Sequence, residues 1–146
     1  MKIKEVEIHN WRSIKDDTIT FEDLMIFIGQ NNHGKSNVLY ALLFFFGEIG
    51  LQDMDFNCNS NELWVEVEFE NLNEEEKKTF KKYATTSNTI KVRKYAQKGE
   101  GFSSRGYLEE PTEDWLKTAS SKLKRIIFKI IEMQYHSTIL WKHQTS

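Results

Sequence analysis

With 146 residues, of which 39% are apolar, the chain is long enough to build one hydrophobic core and too short for two ordinary domains. A formal net charge of −2 excludes a whole-chain field that would by itself draw in nucleic acid or a membrane surface. The single cysteine, Cys58, excludes an internal disulfide and reads as a small half-buried side chain in a reducing compartment.

Lys2 to His9 alternates charged and apolar side chains, with Ile3, Val6 and Ile8 apolar and one irregularity in the period, as in a half-buried strand. Asn10-Trp11-Arg12-Ser13 breaks the pattern and Thr18-Ile19-Thr20-Phe21 resumes it. Glu22-Asp23 is a turn into Leu24-Met25-Ile26-Phe27-Ile28, a continuous apolar run suited to a buried strand, so three short strands precede the first helix.

Gly29-Gln30-Asn31-Asn32-His33-Gly34-Lys35-Ser36 comes next and fits the pattern G-x-x-x-x-G-K-S/T, between an apolar strand and a helix, where a phosphate-binding loop has to lie. Glycine at both ends lets the loop turn tightly and aim successive backbone N–H groups into one concavity, to which the following helix adds the positive end of its dipole. The expected guest is a nucleotide's polyphosphate. Gly29 and Gly34 supply the permissive backbone, and Gln30, Asn31, Asn32 and His33 contribute mainly through their amides. Lys35 supplies positive charge for the β and γ phosphates, the Ser36 hydroxyl a ligand for Mg2+, and Asn37 completes the candidate set. The His33 ring either touches phosphate or faces water.

Asn37 to Phe46 is the helix candidate, with Val38, Leu39, Ala41, Leu42, Leu43, Phe44, Phe45 and Phe46 apolar nearly all round, so it must be covered on more than one side. Gly47 and Gly50 end it, and Gln52 to Asn61 reads as a polar loop in which Asp53 and Asp55 are loop polarity rather than ligands. Leu63 to Phe69 is a strand with Leu63, Val65, Val67 and Phe69 on a dry face and Trp64, Glu66, Glu68 and Glu70 on a wet one. Asn73 caps the next helix, with Glu74, Glu75 and Glu76 in its first turn and Lys77, Lys78, Lys81 and Lys82 following on a solvated face. Thr89 to Ala96 and Ser104 to Leu108 pair as a hairpin around Gly99-Glu100-Gly101, and Thr112 caps a final helix bearing Trp115, Leu116 and Leu123.

Hydrolysis needs a carboxylate after an apolar strand to hold magnesium and orient water. Ile126 to Glu132 resembles such a strand only superficially, because Lys129 interrupts it, and no catalytic residue is assigned. His9, His33, His136 and His143 have no zinc-site spacing. Lys91, Arg93 and Lys94, with Lys122, Lys124 and Arg125, leave open a non-catalytic module that binds DNA or a partner. A self-sufficient small ATPase or kinase is a third reading. The N-terminus has no apolar leader and the longest apolar run, Val38 to Phe46, is far below a span, so a cytoplasmic protein without membrane contact is expected.

Asn10-Trp11-Arg12-Ser13-Ile14 and the stretch from Ile26 through Gly47 resemble the N-terminal head segments of ABC-type ATPases of the SMC and RecF kind, most nearly the OLD family of ATP-dependent endonucleases. Asp53-Met54-Asp55-Phe56 and Leu63 to Phe69 also look like that family's continuation, and the similarity runs from about Met1 to Phe128. The resemblance implies an α/β P-loop head fragment with a mixed sheet and a buried P-loop helix. It implies dimerisation around ATP, control of a DNA endonuclease, and a role in phage defence. It places Arg12 near the nucleotide phosphates, although a surface arginine in a turn is the plain alternative. The family's signature motif, Asp-Glu strand end and Toprim nuclease domain are not found in this sequence, and Lys129 to Ser146 does not match it. The expectation is therefore a head segment over 1–128 followed by a divergent tail over 129–146, a truncation or frameshift product with an open sheet edge, marginal stability or self-association.

Overall fold

The computed structural model describes residues 2–20, 22–23, 36–107 and 113–115. Strands β1 (Lys2–Trp11) and β2 (Ile14–Thr20) form a hairpin whose register runs from Glu5↔Thr20 to Trp11↔Ile14, which leaves Arg12 and Ser13 as the turn. Arg12 adopts φ 51°, a left-handed conformation that costs a residue with a Cβ roughly 1–2 kcal/mol, so the surroundings must hold it there. On the other edge of β1 the pairing with β3 (Glu62–Glu70) slips between Ile3 and Glu5, a bulge that brings Ile3, Val6 and Ile8 all into the core.

Strands β4 (Ile90–Gln97), β5 (Gly101–Tyr107) and β6 (Glu113–Trp115) extend the sheet in the order β2-β1-β3-β4-β5-β6. Every ladder among the described residues is antiparallel, where a mixed sheet was expected. The chain leaves β2, passes through the helix and returns on the far side of β1, so β1 has an antiparallel neighbour on each flank. The strand expected at Leu24 to Ile28 lies outside the described residues. The β4–β5 hairpin closes at Gln97↔Gly101, with Gly99 and Gly101 at φ 83° and 80°, where a side chain would be strained. Glu113–Trp115 pairs with β5 as a strand and does not begin the helix expected after Thr112, because an unpaired sheet edge offers ladder hydrogen bonds that local propensity does not outweigh.

Cross-strand rows give the sheet two distinct faces. Val6, Val67 and Val92 form one row, and Ile3, Phe69 and Ile90 another. Helix α1 (Ser36–Phe45) covers this face, with Phe45 against Phe69 and Phe44 stacked on Trp11 at a centroid distance of 5.3 Å. It ends in a Schellman motif, Gly47 N–H bonding the Phe44 carbonyl and Glu48 N–H the Leu43 carbonyl, with Gly47 at φ 77°. Helix α2 (Glu74–Thr79) starts on a capping box in which the Asn73 side chain accepts from Glu76 N–H and Glu76 accepts from Asn73 N–H. Lys81 and Lys82 fall beyond that helix. Cys58 is exposed rather than half-buried.

The opposite face is less wet than the alternation implies. Glu7, Glu66 and Arg93 stand in one row and His9, Trp64 and Tyr95 in the next. The Arg93 guanidinium lies 3.7 Å from the Trp64 ring centroid and bonds the Glu66 carboxylate at 3.2 Å, while His9 stacks on Trp64. Glu66 is therefore only 6% exposed, a correction to its wet-face reading. Burial pushes its carboxyl above the ordinary 4.5, against the pull of Arg93 and with help from Glu7. A raised native value means that the folded chain holds this proton more tightly than the unfolded chain. This contribution to stability is complete below the unfolded value and is lost as pH rises through the native one. In urea titrations across about pH 4 to 7, wild type should lose stability relative to Glu66→Gln as pH increases. A relative gain would contradict the burial argument.

Candidate functional site

Of the sequence-predicted site residues, Gly29, Gln30, Asn31, Asn32, His33, Gly34 and Lys35 lie outside the described residues. Ser36 is the first residue of α1. Asn37, beside it, donates from Nδ2 to Ser13 Oγ at 2.8 Å, which ties the first turn of the helix to the β1–β2 turn. Arg12 is brought to the same place, its guanidinium 4.4 Å from the Tyr40 ring centroid, one helical turn on from Ser36. The two residues of the β1–β2 turn thus meet α1 side by side, Ser13 at Asn37 and Arg12 at Tyr40, although 24 positions separate Arg12 from the start of that helix.

The segment after α1 holds Arg12 from the other side. Gln52 to Phe56 folds around a single 3-10 turn, Asp53–Asp55, that directs the Asp55 side chain inward, where it is 2% exposed. Asp55 Oδ1 accepts from Arg12 Nε at 2.9 Å, Oδ2 from Gln52 N–H at 2.8 Å, and its carbonyl from Arg12 N–H at 2.7 Å. Asn57 adds two bonds, from Nδ2 to the Arg12 carbonyl and from its backbone N–H to the Asn10 carbonyl, and Phe56 pairs with Trp11. The left-handed Arg12 backbone is thus satisfied at both its N–H and its carbonyl. Asp55 and Asn57, read from sequence as loop polarity, are the residues that fix this arginine. Their separation from it along the chain hid the contact.

The hairpin cations are placed differently from the nucleic-acid reading. Lys94 falls in the dry row with Ile8 and Val65, is 3% exposed, and donates from Nζ to the Phe44 carbonyl at 2.7 Å. The Phe44 and Phe102 rings lie 4.5 and 4.2 Å from the same ammonium. Its signal in sequence was its phase with Ile90, Val92 and Ala96. Arg93 pairs with Glu66 and stacks on Trp64, leaving Lys91 as the exposed cation of the three. Lys122, Lys124, Arg125 and the Ile126 to Glu132 stretch lie outside the described residues. Among the described residues no group of three or more His, Cys, Asp or Glu side chains could hold a metal ion, and no helix is long and apolar enough to cross a membrane.

A family model described as an AAA ATPase domain matches residues 1–144. The chain belongs to this family. The AAA ATPase domain is a nucleotide-binding unit and typically uses Mg2+. The chain is also 44% identical over 45 residues to the DNA replication and repair protein RecF of Lactococcus lactis subsp. cremoris strain MG1363. That stretch is 30% of the chain and spans only 12% of the RecF chain. A structure described as "Structural biochemistry of ATP-driven dimerization and DNA stimulated activation of SMC ATPases" aligns at TM-score 0.50 and 19% identity, over 73% of this chain and 69% of that one. The SMC head domain from Thermotoga maritima aligns at TM-score 0.46 and 15% identity, over 84% and 42%. The first of these likenesses shows the fold alone, that of a P-loop ATPase with an antiparallel sheet.

Proposed function

We propose that this ATPase domain is the N-terminal part of an ABC-type head that binds Mg-ATP at residues 29–37. Within a larger protein of the OLD kind, it uses ATP binding and hydrolysis to control a DNA endonuclease. The observation that supports this best is that the G-x-x-x-x-G-K-S run ends on the first residue of α1, with Arg12 held against the first turns of that helix. A guanidinium beside a helix N-terminus suits an anion, since both present N–H donors and positive charge. Bound Mg-ATP supplies the transferable phosphoryl group. Lys35 is assigned to the β and γ phosphates, Ser36 to the metal, and Arg12 to a supporting contact. Dimerisation around nucleotide, service in phage defence, and a boundary near Phe128 between head and divergent tail belong to the same proposal.

The module reading that relied on the basic hairpin is not retained, because Arg93 and Lys94 are engaged inside the fold. Isothermal calorimetry with Mg-ATP tests the nucleotide assignment. Wild type should give a saturable heat that Lys35→Ala reduces by about 2 kcal/mol of binding free energy or more, the loss of a charged contact to phosphate. Equal heats from both proteins would remove the assignment.

A further inference from the structure

We infer that Asp55 is a positioning residue for nucleotide binding, acting through Arg12; the inference rests on the ATP-binding reading above. Asp55 takes the Nε edge of the guanidinium and the Arg12 backbone N–H together, and its second carboxylate oxygen is committed to Gln52 N–H. The carboxylate is therefore built into its own turn at 2% exposure and has no freedom to follow the arginine elsewhere. Arg12 has five N–H donors, of which Asp55 uses the single Nε–H, so four remain on the two Nη nitrogens. The Tyr40 ring on one side and the Trp11 ring on another, at 4.4 and 5.3 Å, limit the plane the guanidinium can adopt.

Two opposite consequences of an acid beside a phosphate-binding arginine can be separated by sign. If Asp55 competed with phosphate for Arg12, its removal would free the guanidinium and tighten binding. If it orients Arg12, its removal releases a long side chain from a left-handed turn, and the ordering entropy is then lost at the moment of binding. The double attachment through backbone and side chain, and the commitment of both carboxylate oxygens, favour orientation.

The test is a double-mutant cycle read by Mg-ATP calorimetry on the full chain, with Asp55→Ala, Arg12→Ala and the combination, each checked for folding by circular dichroism. Asp55→Asn replaces Asp55→Ala should the alanine variant not fold. Asp55→Ala should weaken Mg-ATP binding by about tenfold, the scale of one charge-assisted hydrogen bond. In the Arg12→Ala background the same change should alter affinity by less than about twofold, because its effect passes through the missing guanidinium. An equal loss in both backgrounds, or unchanged or tighter binding in the first, would overturn the inference and leave the ATP assignment intact. Absence of a Lys35-dependent heat in wild type would overturn both.

Discussion

Phe44→Ala is expected to lower the unfolding free energy by about 4 kcal/mol, near the top of what a single core truncation costs. The Phe44 ring is fully buried and joins three parts of the fold. It stacks on Trp11 at the end of β1, meets Phe102 of β5 edge-on at 6.1 Å, and lies under the Lys94 ammonium. Collapse cannot refill that space cheaply, since α1 is pinned at its start by the Asn37 to Ser13 bond and at its end by the Schellman motif. Urea denaturation followed by tryptophan fluorescence measures the change. A loss below about 1 kcal/mol would mean that the helix repacks freely on the sheet.

Lys94→Ala is expected to cost about 3 kcal/mol, from a charge-assisted hydrogen bond to a buried carbonyl together with the lost packing of the methylenes beyond Cβ. The ammonium sits where the carbonyl end of the α1 dipole is negative, so its charge opposes that end. Lys94→Met separates the two contributions: it keeps most of the stem and leaves the Phe44 carbonyl with only the Gly47 N–H, so about 2 kcal/mol should remain lost. Full recovery with methionine would show that packing alone matters at this position. The same variants bear on the basic hairpin, because a lysine that served DNA would tolerate methionine without any loss of stability.

Features set by local rules were legible in the sequence. The slip in period between Ile3 and Val6 is the bulge opposite β3, and Leu63, Val65, Val67 and Phe69, read as the dry face, are all buried. Asn73 followed by Glu76 is the capping box, and the turn with Gly99 and Gly101 is the β4–β5 corner. What escaped was set by long-range contact. Asp55 acquires its role from Arg12, and Glu66 its burial from the Trp64 and Arg93 stack. Glu113–Trp115 became a strand because β5 offered an edge. Lys94 stands between the two cases, since its phase was visible while the carbonyl it serves, at the end of a helix fifty residues earlier, was not.

The central claim is that the main-chain amides of residues 29–37, with Lys35, grip a triphosphate tail. Backbone amide NMR on the uniformly nitrogen-15-labelled chain tests it most directly. Addition of Mg-ATP should shift the amides of Gly29 through Asn37 and the Arg12 side-chain Nε–H, while Mg-AMP at the same concentration should leave them nearly unmoved. Shifts that spared this segment and mapped to another surface, or that were the same for AMP and ATP, would contradict the account.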